Sequence, residues 1–130
     1  MARLSALVRG NLTAGDHTVL VTGVEETASK DGNPQLMFKV KSDNGESGRW
    51  WKSLLPQAQW SLIRDFVNAG IDADIPDDDD GAKVRALTRI AHDLEGRKLR
   101  VGVSYDDSER IQVRIQGTAD GGTSGDVSRL

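Results

Sequence analysis

The chain has 130 residues, 37% hydrophobic and 28% charged, with a formal net charge of -3; that is the make-up of one globular domain with room for a real core and little else. It contains no cysteine, which excludes disulfide scaffolds, cysteine-based zinc sites and thiol nucleophiles and suits a reducing interior. The N-terminus lacks the apolar run of a signal peptide and no stretch is long enough to span a bilayer, so the expectation is a cytoplasmic protein that does not enter a membrane.

Residues 1–15 read as a lead-in that ends in the turn-like Asn11-Leu12-Thr13-Ala14-Gly15. The β-branched run HTVLVTGV, residues 17–24, predicts strand one, and Gly23 inside it predicts a bulge or bend. Ser29-Lys30-Asp31-Gly32-Asn33-Pro34 is a turn, with Asp-Gly supplying a positive φ. Strand two alternates: Leu36, Phe38 and Val40 point one way, and Gln35, Met37, Lys39 and Lys41 the other. After the hairpin signal Asp43-Asn44-Gly45-Glu46, residues 47–54 predict strand three. Arg49, Trp51 and Ser53 share one of its faces, and Trp50, Lys52 and Leu54 the opposite one. One tryptophan therefore faces inward and one outward. Trp51, in phase with Arg49, is the better outward candidate, although a bulge at Gly48 would exchange the two.

Pro56 fits the first turn of a helix in which Trp60, Ile63, Phe66 and Val67 follow at helical spacing, and Gly70 ends it. An Asp-rich loop follows. Val84, Leu87, Ile90, Ala91 and Leu94 then repeat the helical pattern, with Arg85 and Arg89 outside and Gly96 as the stop. Strand four sets Leu99, Val101, Val103 and Tyr105 against Lys98, Arg100 and Ser104; Asp106-Asp107-Ser108 turns the chain. Strand five sets Ile111, Val113 and Ile115 inward and Arg110, Gln112, Arg114 and Gln116 outward. The last segment, residues 118–130, is rich in Gly, Ser and Asp and predicts a disordered tail.

Five short strands with helix between the third and fourth predict a mainly β domain over residues 16–117. The architecture is a five-stranded OB-fold-like Greek-key barrel with one or two helices between strands three and four. Such barrels offer one strand face and its flanking loops to oligonucleotides or oligosaccharides. Here the outward strand positions carry Lys39, Lys41, Arg49, Arg100, Arg110 and Arg114. Cations spaced at roughly 7 Å on alternate residues suit the tracking of a phosphate backbone. An ordinary solvated sheet face, with Lys and Arg blunting its edges, would read the same way. The Trp50-Trp51 pair between Arg49 and Lys52 sharpens the first reading, because an indole beside cations is what sequence-tolerant base stacking needs. At least one of the two indoles belongs to the core.

The net charge does not oppose this. Six of the 20 acids, Asp72, Asp74, Asp77, Asp78, Asp79 and Asp80, fall in one loop, and the remainder holds 14 acids against 17 bases. Local fields, screened over about 8 Å, govern phosphate binding. The acidic loop lacks the alternate-ligand spacing and terminal Glu of an EF-hand, so a solvated loop is favoured over a metal site. A third reading has it mimic phosphate and compete for the basic face. Catalytic motifs are missing: His17 and His92 stand far apart, and the adjacent Glu25 and Glu26 face opposite sides of a strand, as edge charges do.

The segments ASKDGNPQL (28–36) and DLEGRKLRV (93–101), with Leu12-Thr13-Ala14-Gly15-Asp16-His17 and Gly48-Arg49, carry a family resemblance over residues 12–116. The chain resembles small bacteriophage proteins of replication and recombination gene clusters, long described only as a domain of unknown function and similar to OB-fold single-stranded-DNA-binding proteins. The resemblance implies protection of single-stranded DNA in the host cytoplasm, no catalysis and no cofactor. It assigns Lys30 to a loop flanking the binding groove, and Arg97 and Arg100 to the start of strand four. The C-terminus Asp126-Val127-Ser128-Arg129-Leu130 departs from the acidic, aromatic-tipped tail by which bacterial-type single-strand binders recruit partners. The combined expectation is sequence-independent single-stranded-DNA binding by Lys30, Lys39, Lys41, Arg49, Trp51, Arg100, Arg110 and Arg114. The alternative is an interaction module that binds a host or phage replication or recombination protein. The edge of strand three could also pair across a homodimer.

Overall fold

A computed structural model describes residues 10–119; residues 1–9 and the expected tail from residue 120 onward lie outside the described residues, while Thr118, expected in that tail, still belongs to the last strand. Five antiparallel strands form one open sheet in the order β3-β2-β1-β4-β5: β1 (Gly15–Ala28), β2 (Pro34–Ser42), β3 (Ser47–Ser53), β4 (Lys98–Tyr105) and β5 (Ile111–Thr118). Between β3 and β4 the chain makes a 3-10 turn at Pro56–Ala58 and two helices, α1 (Gln59–Asn68) and α2 (Asp80–Asp93).

The first strand is longer than its β-branched run suggests because it serves two partners. Residues 15–20 pair with β4 and residues 19–28 with β2. Where the partner changes, the register steps from Val21↔Val40 to Gly23↔Lys39. Thr22 is the extra residue, its hydroxyl donating to the Lys39 carbonyl at 3.1 Å. Such a bulge increases local twist and lets a strand coil from one half of a sheet into the other. Beyond Leu20, the chain entering β4 covers the other edge of β1. Gly96 N–H donates to Val21 O at 2.8 Å, Val21 N–H to Arg97 O at 3.0 Å, and Val24 N–H to the Glu95 carboxylate at 2.8 Å. Glu25 and Glu26 lie on this half of β1, outside the reach of β4.

Inward residues of all five strands make the core, among them Val19, Val21, Leu36, Phe38, Leu99, Val101 and Ile115. Trp50 is only 1% exposed and stacks on Phe38, its direct partner across β2–β3, with ring centroids 5.4 Å apart. The fold also reaches further towards the N-terminus than the strand pattern marks. Leu12 is fully buried, and its carbonyl accepts from the Tyr105 hydroxyl.

The outer strands β3 and β5 are bridged by α1. Asp65 accepts the Ile115 N–H at 3.1 Å, and Asn68 donates to the Ile115 carbonyl at 2.9 Å, so side chains one turn apart satisfy both polar groups of that residue. The second oxygen of Asp65 holds the Lys52 ammonium of β3 at 3.1 Å. Burial raises the Asp65 carboxyl above its ordinary range, against the opposing pull of Lys52 and the hydrogen bonds. This arrangement explains a difference from the sequence pattern. The apolar spacing places Trp60 and Val67 with the core, yet they are 64% and 53% exposed. Phe66 is buried as the spacing predicts, and with it Leu62 and the polar Gln59 and Asp65, which bond the Leu54 carbonyl and the Ile115 N–H of the edge strand.

Candidate nucleic-acid interface

The outward faces of β2 and β3 form one surface whose opposed residues are Gln35/Ser53, Met37/Trp51, Lys39/Arg49 and Lys41/Ser47. With Trp50 locked inward, the unbroken register turns Trp51 outward, where it is 44% exposed. Met37 is buried despite its outward phase; its neighbours across the sheet are Glu25 and Trp51. Lys39 and Arg49 are like charges directly opposite one another, an arrangement that costs stability in a sheet unless an anion lies between or beside them. Glu25 supplies part of that anion from β1, 2.5 Å from Lys39. Both side chains of that pair are about half exposed, so the pairing is readily exchanged.

Two loops close over one end of this surface. The β1–β2 turn is drawn tight by Gly32 N–H to Ser29 O and Ser29 N–H to Asn33 O, both 2.9 Å, with Gly32 at φ +81°. It presents Lys30. In the β4–β5 turn the Asp106 carboxylate accepts the N–H groups of Ser108 and Arg110, both at 2.9 Å, and Glu109 takes a left-handed φ of 62°. That turn presents Arg110. Between the loops lies a cleft of about 900 Å³ lined by Lys30, Gln35, Trp51, Tyr105 and Arg110. A smaller hollow of about 350 Å³ continues along the same strands, lined by Lys39, Lys41 and Arg49.

Six of the eight expected residues thus come together on the β2–β3 side. The other two do not. Arg114 stands opposite Gly102 and lines a different cleft, below α1. Arg100 is opposite Gly117, its guanidinium lying over that glycine where a Cβ would meet it at 2.7 Å. Arg97 immediately precedes β4, at the place the resemblance assigns it, and its side chain is turned to the end of α1, where it donates to Ala69 O at 3.4 Å. The expected set of contact residues left out Asn11, Gln35 and Tyr105, which line the same cleft as Trp51. Asn11 clasps the outer edge of β3, donating to Arg49 O at 2.8 Å and accepting from Arg49 N–H at 3.0 Å. That clasp satisfies the Arg49 backbone groups on the edge through which a second copy of the chain could pair. No local pattern marks Asn11, because its partner lies 38 residues away.

The remaining ionisable clusters are accounted for structurally. Asp79 caps α2, accepting Ala82 N–H at 3.1 Å, and Ile71 and Ile75 tether the acidic loop to the core. Among the described residues, no His, Asp or Glu group is disposed to hold a metal, and none of the loop's carboxylates is paired with the groove's cations. His17 is buried between Thr13 O, 2.7 Å, and Ser42 Oγ, 3.0 Å. Beside it Glu46, 1% exposed, accepts the Thr13 N–H at 2.8 Å and the Thr13 hydroxyl and Asn44 amide at 3.0–3.1 Å. Burial pushes its carboxyl up, but these hydrogen bonds and His17 outweigh that and hold it below its ordinary range. His92 is elsewhere, 3.5 Å from Glu95 at the end of α2. Among the described residues no helix is long and apolar enough to cross a membrane. Compared with models of known protein families and with curated proteins, the chain matches none.

Proposed function

We propose that this protein is an OB-type barrel that binds single-stranded DNA without sequence preference, by phosphate contacts and base stacking, in phage replication or recombination. The observation that carries the reading is the half-exposed Trp51 in a cleft whose two flanking loops each contribute a cation, Lys30 and Arg110. An indole face accepts any base, and flanking cations hold the phosphates on either side of it. Lys39, Lys41 and Arg49 extend the positive surface along the same strands, so a strand leaving the cleft meets further counter-charge.

The barrel reading is supported by the sheet order, by a first strand shared between both halves, and by α1 bridging β3 to β5. The cleft between the β1–β2 and β4–β5 loops lies where that fold takes oligonucleotides.

The test is titration of intrinsic tryptophan fluorescence with oligo-dT. Stacking on Trp51 quenches it, and Trp51→Ala weakens binding by about 5- to 150-fold, the equivalent of about 1–3 kcal/mol for one stacked base. If three to five of the groove's cations engage phosphates, log K falls with log salt at a slope of about -2 to -3.5. Salt-independent binding, or equal affinity for duplex, would refute the mechanism. Unquenched fluorescence with no binding would leave the basic face to a protein partner.

A further inference from the structure

A second cleft, of about 670 Å³, lies where α1 leans over β4, β5 and the start of β1. Its outer wall is Trp60, the most exposed large apolar residue among those described, at 64%. The Arg64 guanidinium lies 5.1 Å from the indole centroid, one helical turn along. Across the opening stands Arg114, opposite Gly102, with no carboxylate bonded to it among the described residues. The one acid on the wall, Asp16, is occupied by the Gln116 amide at 3.1 Å. Gln112 lines both this cleft and the one that holds Trp51, so the two openings adjoin at the start of β5.

We infer that this cleft is a second stacking platform for the same polynucleotide, with Trp60 receiving a base, Arg64 backing the indole, and Arg114 holding a phosphate. The inference rests on the proposed function and extends it from one groove to a path that turns the edge of the sheet at Gln112. Three observations carry it beyond the generic exposed aromatic. The indole is paired with a guanidinium, which is the stacking-plus-cation composition of a single-strand site. Among the described residues the facing wall offers Arg114 with no carboxylate bonded to it, and the Gln116 amide holds the single carboxylate, Asp16, in place. The opening also adjoins the first cleft through a shared amide side chain able to donate to a base or a phosphate. It further explains Arg114, which faces outward on β5 yet lies away from the β2–β3 surface.

The test compares oligo-dT of about six and about twenty nucleotides, lengths that bracket one and more than one cleft of an OB-sized site. In the intact chain the longer strand binds more tightly. Trp60→Ala reduces that gain at least about fivefold, the effect of losing one stacked base, while Trp60→Phe restores most of it. Arg114→Gln lowers the salt slope on the long strand by about 0.7, one phosphate contact. Melting curves check the fold, and the exposure of Trp60 predicts that they stay near wild type. An unchanged length dependence in Trp60→Ala, with Trp51→Ala still weakened, overturns the second platform and leaves the first groove standing. Failure of both tryptophan variants to alter binding removes the first reading and this one with it.

Discussion

Asp65 tests the idea that α1 acts as a surrogate strand. Its carboxylate makes two short contacts of equal length, 3.1 Å to the Ile115 N–H and 3.1 Å to the Lys52 ammonium, with the Arg64 guanidinium further off at 3.9 Å, at 1% exposure. Which contact matters can be decided from the direction of its titration. Burial opposes ionisation here more strongly than Lys52 and the hydrogen bonds favour it, so the carboxyl sits above its ordinary 3.8. A group that holds its proton more tightly in the folded chain releases it on unfolding. Stability therefore falls as pH rises from about the unfolded value through the folded one. The neutral amide of Asp65→Asn keeps an acceptor for the Ile115 N–H but turns its NH2 towards the Lys52 ammonium, and costs about 1–2 kcal/mol. Asp65→Ala leaves that buried N–H without a partner and opens a small void, at a cost of about 2–4 kcal/mol. Against a total of about 5–15 kcal/mol for a domain this is a large loss. Urea denaturation of the three proteins between pH 4 and 8 measures both effects. The Asn variant should also lose the part of the pH slope that belongs to this carboxyl. If Asn proves as damaging as Ala, the ion pair with Lys52 is what matters and the surrogate-strand account is wrong.

Glu46 behaves in the opposite sense. Its folded value lies below the ordinary 4.5, so it contributes stability above that pH and loses it as pH falls through the folded value. Glu46→Gln should cost about 1.5–3 kcal/mol at pH 7, the range for hydrogen bonds to a charged group, with a smaller gap below pH 4, read from urea midpoints. Gly48→Ala would set a Cβ 2.5 Å from Asn11 Oδ1 and Leu12 Cγ. Displacing that segment from the edge of β3 should cost about 1–3 kcal/mol by thermal melting, and a neutral result would mean the segment is not docked there. Asp79→Ala removes the N-cap of α2 and should cost about 0.5–2 kcal/mol without changing oligo-dT affinity; altered affinity would revive a regulatory role for the acidic loop.

Strand and helix identities were legible because each depends on neighbours in sequence. Alternation in residues 35–41 and 98–104 separated the buried from the exposed side chains at nearly every position, and Gly23 marked the place where the β1–β2 register slips. Arg49 and Trp51 could be placed on one face for the same reason. Helix α1 was legible as a helix but not in its orientation. Apolar spacing takes Trp60 and Val67 for core, whereas the exposed edge of β5 recruits Asp65 and Asn68.

What the linear chain determined is therefore its inventory: five strands, one or two helices between the third and fourth, their turn residues, and which side chains alternate outward. Tertiary structure alone decided which of the outward cations share a surface. Lys30, Trp51 and Arg110 come from segments 21 and 59 residues apart in sequence, and only the sheet order and the two loop geometries bring them around one cleft. The same sheet order carries Arg100 and Arg114 elsewhere. Side-chain alternation is a property of neighbouring peptide units, whereas convergence depends on long-range pairing, for which local periodicity holds no information.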